Sequence, residues 1–223
     1  ITLLIVGPAV LLLLRRALKK PQFSGKPIQD KKEKQYTLSV WQLLKERKFW
    51  IISPVTFILG FTNTAIFFFQ LKLGDARGWS PEWVAGSISA FAIAGAVGVT
   101  GIGAFVDRYT AKKLFPYHML LYMPGLIALI FFDHPLDYPV SLVLLGLGHG
   151  TGKTIKDAML AEIYGTEIIG QVRSIFITVM VFSTAIGPVI FGIFLDAGVS
   201  YAAIFAGVLI AAVLATTNAF RKL

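Results

Sequence analysis

The chain has 223 residues, 56% of them hydrophobic and only 15% charged, with a mean hydropathy of +0.72. An ordinary soluble domain carries roughly 25% charged residues, so a water-soluble globule is excluded as the first reading. Lys and Arg number 21 against 12 Asp and Glu, a net charge of +9; the excess lies between long apolar runs and so marks membrane topology, not a nucleic-acid partner.

The apolar run 1–14 begins at Ile1 and stops at Arg15 and Arg16. It reads as the end of a truncated transmembrane helix, because a signal peptide carries its basic residues before the apolar stretch, not after it. Residues 15–48 form a basic linker, with Pro21, Gly25 and Pro27 as breakers. Within it, Leu38, Trp41, Leu44 and Trp50 recur at near-helical spacing after Thr37 or Ser39 as N-cap, which predicts a helix along the membrane surface feeding the first complete span.

Six complete spans follow, at 49–70, 83–105, 114–132, 140–160, 175–195 and 201–220, so that 49–223 is a six-helix bundle. Runs of this length exceed a tilted barrel strand and lack period-two alternation, so the fold is all-α and polytopic. The span 140–160 is the least apolar, since it carries Lys153, Lys156 and Asp157. If the spans alternate, 15–48 with 11 basic residues, 108–113 with three, Arg173, and Arg221 with Lys222 share one side, whereas Lys72 and Arg77 face the other. The positive-inside rule then makes 15–48 cytoplasmic in a multi-pass protein of the cell membrane.

The run from Gly146 to Thr154 imitates a nucleotide-binding loop, but Leu147 stands where the first Gly of that motif is required, and the run interrupts an apolar helix instead of following a strand. Its informative residues are ionisable: His149, Lys153, Lys156 and Asp157 fall at i, i+4, i+7 and i+8, on one helix face. Charges inside a span cost at least about 2.5–3.5 kcal/mol each near the centre, so this face is expected to line a wet cavity. Lys153, Lys156 and His149 are candidate substrate ligands, Asp157 and His149 candidate proton carriers, and a Lys153–Asp157 ion pair one turn apart is expected to hold Lys153 in place. In the first complete span Ser53, Thr56, Gly60, Asn63 and Gln70 form a milder polar stripe, and Thr56 and Asn63 join the candidate ligands. His118, His134 and His149 show no metal-ligand spacing, and there is no Cys; no metal and no cofactor are expected.

The connection around 103–113 places Gly103, Asp107, Arg108, Lys112 and Lys113 between two spans. With Thr110 in place of an inner Gly, this series resembles the cytoplasmic signature of the major facilitator superfamily of secondary transporters, in the copy between its eighth and ninth helices. The likeness continues through Glu162, Gly165, Gly170 and Arg173, similar to the connection between helices ten and eleven, and through Gly187, Pro188, Gly192, Asp196 and Gly198, similar to helix eleven. It implies that 1–14 is the end of helix six, 15–48 the central loop and the six spans helices seven to twelve: half of a twelve-helix bundle, whose partner is the missing N-terminal half of the same carrier. It further implies alternating access around a midplane cavity lined by helices seven and ten. The expected substrate is a small solute, an organic anion on the balance of two Lys against one Asp; lipid is the other partner, and no nucleic acid is expected. The competing readings are a membrane-embedded enzyme, which the absence of a nucleophile or metal motif disfavours, and a non-transporting receptor or scaffold.

Overall fold

The computed structural model describes residues 40–222. The expected truncated helix 1–14, the linker as far as residue 39 and the proposed N-caps Thr37 and Ser39 lie outside the described residues. All regular structure among the described residues is helical: α1 Val40–Lys45, α2 Arg47–Ala76, α3 Pro81–Gly101, α4 Gly103–Arg108, α5 Ala111–Leu114, α6 Tyr117–Phe131, α7 Asp137–Tyr164, α8 Ile169–Asp196 and α9 Tyr201–Lys222.

The short α1 meets α2 at Glu46, whose backbone is extended. Leu43 is fully buried while Trp41 and Trp50 are exposed, so α1 is fastened to the bundle by Leu43 and not by the Trp stripe. The Trp50 indole donates to the Leu44 carbonyl at 2.8 Å, closing the corner. Exposed Trp at such a corner suits the amphipathic boundary between lipid and water.

Five stretches among the described residues are long and apolar enough to cross a membrane: Arg47–Ala76, Pro81–Arg108, Ala111–Phe131, Ile169–Asp196 and Tyr201–Lys222. The fourth expected span, α7, is long enough at 28 residues but falls short in apolarity. The reason is its four ionisable residues from Lys153 to Glu162 and its four glycines. It is sheltered instead, packing most extensively against α3 on one flank and α6 on the other.

The glycines that imitate a nucleotide loop produce that packing. A Cβ on Gly146 would lie 2.4 Å from the Phe91 carbonyl oxygen and one on Gly150 2.1 Å from that of Gly95, so this face meets the α3 backbone directly. Gly148 and Gly152 point the other way, where a Cβ would meet Tyr122 at 2.7 Å and His118 at 2.4 Å on α6. Small residues four apart permit such close approach in lipid, where dispersion and not the hydrophobic effect holds helices together. With two faces of α7 committed to neighbours, the third carries His149, Lys153, Lys156 and Asp157.

Each end of the bundle is tied by polar contacts. At one end Arg77 donates to the carbonyls of Phe132 at 2.9 Å and of Leu129, which close α6, and pairs with Asp133 at 3.4 Å. A guanidinium fork satisfies helix-terminal carbonyls that have no intrahelical donor. The Trp79 and Trp83 indoles donate to the carbonyls of Asp133 at 3.2 Å and Pro135 at 2.8 Å, so the connection after α2 grips the connection after α6. At the opposite end the Glu162 carboxylate accepts from the amides of Ala111 at 2.8 Å and Lys112 at 3.1 Å.

Candidate functional site

A cavity of about 350 Å³ lies among α2, α6, α7 and α8, in the half of the bundle nearest the basic connections. Thr56 and Gly60 of α2, His118 of α6, His149, Lys153, Lys156 and Asp157 of α7, and Arg173 of α8 all reach it. The four ionisable residues predicted to share one face of α7 therefore do so, and the face lines a space large enough for a small organic molecule.

The lining is positive: three basic side chains, Lys153, Lys156 and Arg173, against the single carboxylate of Asp157. Lys156 interacts electrostatically with Asp157, Lys153 and Arg173, and His149 with Lys153 and Lys156, so charges from two helices act on one volume. The expected Lys153–Asp157 ion pair does not form: among the described residues the ion pair within 4.0 Å is Arg77 with Asp133. A base placed four residues before an acid is the poorer orientation for a helical pair. Arg173 instead donates to the backbone carbonyl of Asp157 at 3.3 Å, joining α8 to α7 at the cavity mouth. Lys153 is exposed to the cavity, and Lys156 and Asp157 are half-buried.

Asn63 stands behind the wall. It is buried, and its Nδ2 donates to His149 Nδ1 at 2.9 Å while its Oδ1 accepts from the Tyr122 hydroxyl at 2.7 Å. The relay Tyr122–Asn63–His149 crosses three helices and fixes the His149 ring, so Asn63 acts through His149. Thr56, though lining the cavity, gives its hydroxyl proton to the Ile52 carbonyl at 3.3 Å, leaving oxygen lone pairs toward the space. Of the remaining stripe, Gly60 is the contact point with α8, where a Cβ would meet the Ser183 hydroxyl at 2.2 Å.

Sequence reasoning missed His118 and Arg173 as cavity residues. Both were visible as ionisable groups at the edge of apolar runs, yet their convergence with α7 is a tertiary fact. His118 is 2% exposed, and its Nδ1 bonds to the carbonyl of Phe115.

The signature loop folds as α4 and α5. Asp107 and Arg108 are exposed at the end of α4, with the Arg108 guanidinium 5.7 Å from the Tyr109 ring centre, and Lys112 and Lys113 are exposed on α5. The interhelical tie at this loop comes from Glu162 of α7 and not from Asp107. Thr110 has φ −61° and ψ 135°, a conformation that needs no glycine, which is why its departure from the family pattern is accommodated.

The family model described as Major Facilitator Superfamily matches residues 1–152 and again 88–222, overlapping in the middle. The chain belongs to this superfamily of transporters, and it is an all-α, multi-pass membrane protein. A comparison with curated proteins found no match.

Proposed function

We propose that this chain forms helices seven to twelve of a secondary carrier that moves a small organic anion by alternating access, rocking against a second six-helix half. The observation that carries the reading is the charge of the cavity. Three cations against one carboxylate leave two positive charges around one cavity, with Lys153 and Arg173 exposed in it and Lys156 half-buried, and such an excess attracts an anion. Lys153, Lys156 and Arg173 supply the attraction, Thr56 and His149 the hydrogen bonds, and Asn63 the orientation of His149. Asp157 limits the excess, so that release remains possible.

The basic ends of the helices lie in the cytoplasm of a cell-membrane carrier on this reading, which puts the cavity mouth at Arg173 on that side. Impermeant thiol reagents report the sidedness by reaching a thiol introduced by Lys112→Cys and one introduced by Glu82→Cys from opposite faces; access to both from one face contradicts it.

Ligand-dependent thermal stabilisation of the full-length carrier tests the substrate class. Carboxylates at saturating concentration are expected to raise the melting temperature, because a ligand at about 100 times its Kd adds about 2.7 kcal/mol to folded-state stability. Stabilisation by organic cations or neutral sugars, with none by carboxylates, overturns the reading.

A further inference from the structure

The cavity has two unlike walls. α7 contributes His149, Lys153, Lys156 and Asp157, whereas α2 and α8 contribute Val55, Leu59, Ile177 and Met180. α2 ends where α7 begins, at the Arg77–Asp133 contact, so the two helices run in opposite directions. The bond between Asn63 and His149 then fixes their register: about one turn toward the mouth brings Leu59 level with Lys153, and a second brings Val55 level with Asp157. A Cβ on Gly60 would lie 3.2 Å from the Met180 carbonyl oxygen, which sets Met180 beside Leu59, and Ile177 follows about one turn nearer Arg173. Charge and apolar surface therefore face each other across the space at the same depth, instead of following one another along it.

The apolar wall is open to a ligand. Ile177 is 51% exposed, and Leu59 and Met180 are half-buried. The wall also lacks a hydrogen-bond donor: Thr56, set among these residues, already gives its proton to the Ile52 carbonyl and presents only lone pairs. A carboxylate pressed against it loses water without gaining a donor, a cost that confines negative charge to the α7 side. On that side Asp157 stands one turn from Lys153, where the far carboxylate of a dicarboxylate lying along α7 would fall, and repels it. Asp157 also offsets its neighbour Lys156, and the Arg173 guanidinium is turned to the Asp157 carbonyl.

We infer, on the anion reading of the same cavity, that the substrate is an amphipathic monocarboxylate, with its one carboxylate on Lys153 and an aryl or branched alkyl body against Leu59, Ile177 and Met180. The Met180 thioether suits such a body, since its stem is flexible and sulfur makes favourable contacts with ring edges. A mostly apolar space with a few convergent polar groups is the usual form of a small-molecule site, and here the polar groups converge from one side only. Selectivity then comes from the wall opposite the charge: a small carboxylate leaves it bare, and a dicarboxylate gains nothing from it.

The test titrates the purified full-length carrier calorimetrically with sodium phenylacetate, sodium acetate, disodium succinate and the neutral isostere phenylacetamide. Phenylacetate is expected to bind about tenfold or more tightly than acetate or succinate, because its ring leaves water for the apolar wall. Phenylacetamide, which lacks the charge, should bind about tenfold or more weakly than phenylacetate. In Leu59→Ser combined with Ile177→Ser the preference for phenylacetate over acetate should fall to within about threefold. The wild-type titrations decide the matter even where that variant does not fold. Acetate or succinate binding as tightly as phenylacetate, or a preference that survives in the folded double variant, overturns the inference and leaves the anion reading standing. Phenylacetamide binding as tightly as phenylacetate, or failure of every carboxylate to bind the wild type, overturns the anion reading and the inference with it.

Discussion

Lys153→Ala is expected to abolish transport while leaving membrane insertion intact or improved. Lys153 is exposed in the empty cavity, and a carboxylate that covers it on binding forms a buried charge pair whose truncation costs about 2–5 kcal/mol, roughly 30-fold or more in affinity for an anion. Insertion should not suffer, because a Lys near the middle of a span opposes insertion by about 2.5–3.5 kcal/mol. A structural role for Lys153 makes a different forecast: Asp157 loses its partner, abundance falls, and Lys153→Ala combined with Asp157→Ala restores both abundance and uptake. The structure favours the first outcome, since Lys153 opens to the cavity and forms no ion pair with Asp157. Uptake by the single and double variants, normalised to protein in the membrane, decides between them; normal transport by the double variant removes Lys153 from the site.

Gly150→Val should be the most damaging single change outside the charged face. A Cβ at this position lies 2.1 Å from the Gly95 carbonyl oxygen and 2.9 Å from its carbon, so α3 and α7 must separate along their shared length. Overpacking typically costs about 1–3 kcal/mol, and a clash with backbone has no rotamer by which to escape. A change of one or two kcal/mol already shifts the folded-to-unfolded ratio roughly 5–30-fold. The expected result is a marked loss of folded carrier, read by melting temperature and by size-exclusion profile. Gly86→Ala, where a Cβ has nothing within 4 Å, is the control and should change neither. Equal stability of Gly150→Val and wild type contradicts the backbone contact.

The helices were legible because lipid imposes a length and an apolarity that sequence displays directly. The boundaries drifted where exposed charge continues a helix: α2 extends to Ala76 past Lys72 and Asp75, although the apolar run ends near Gln70. The break of the third expected span at Pro116 and that of the second at Ile102 separate short helices that hydropathy merges into one. The face of α7 was legible for a local reason, since residues at i, i+4, i+7 and i+8 coincide on any helix. His118 and Arg173 were not, because their distance from Lys153 depends on how α6 and α8 pack, and Gly148 and Gly152 set the first of those packings. Asn63 was recognised as polar and central, but which way it points depends on Tyr122, 59 residues away. The loop signature identified the family, while the contact that fastens the loop came from Glu162.

An electropositive cavity that attracts anions is measurable with charged thiol reagents without knowledge of the substrate. Ile177→Cys places a thiol in the cavity wall of a chain that has no Cys of its own, and Ala197→Cys gives an exposed reference at the far end of α8. 2-Sulfonatoethyl methanethiosulfonate is expected to modify the cavity thiol faster than its trimethylammonium counterpart does, by about tenfold relative to the reference, since a cleft of one sign concentrates counter-ions by about 10-fold or more. Lys153→Ala with Lys156→Ala should remove that preference. Faster reaction with the cationic reagent, or a ratio indifferent to the two lysines, contradicts it.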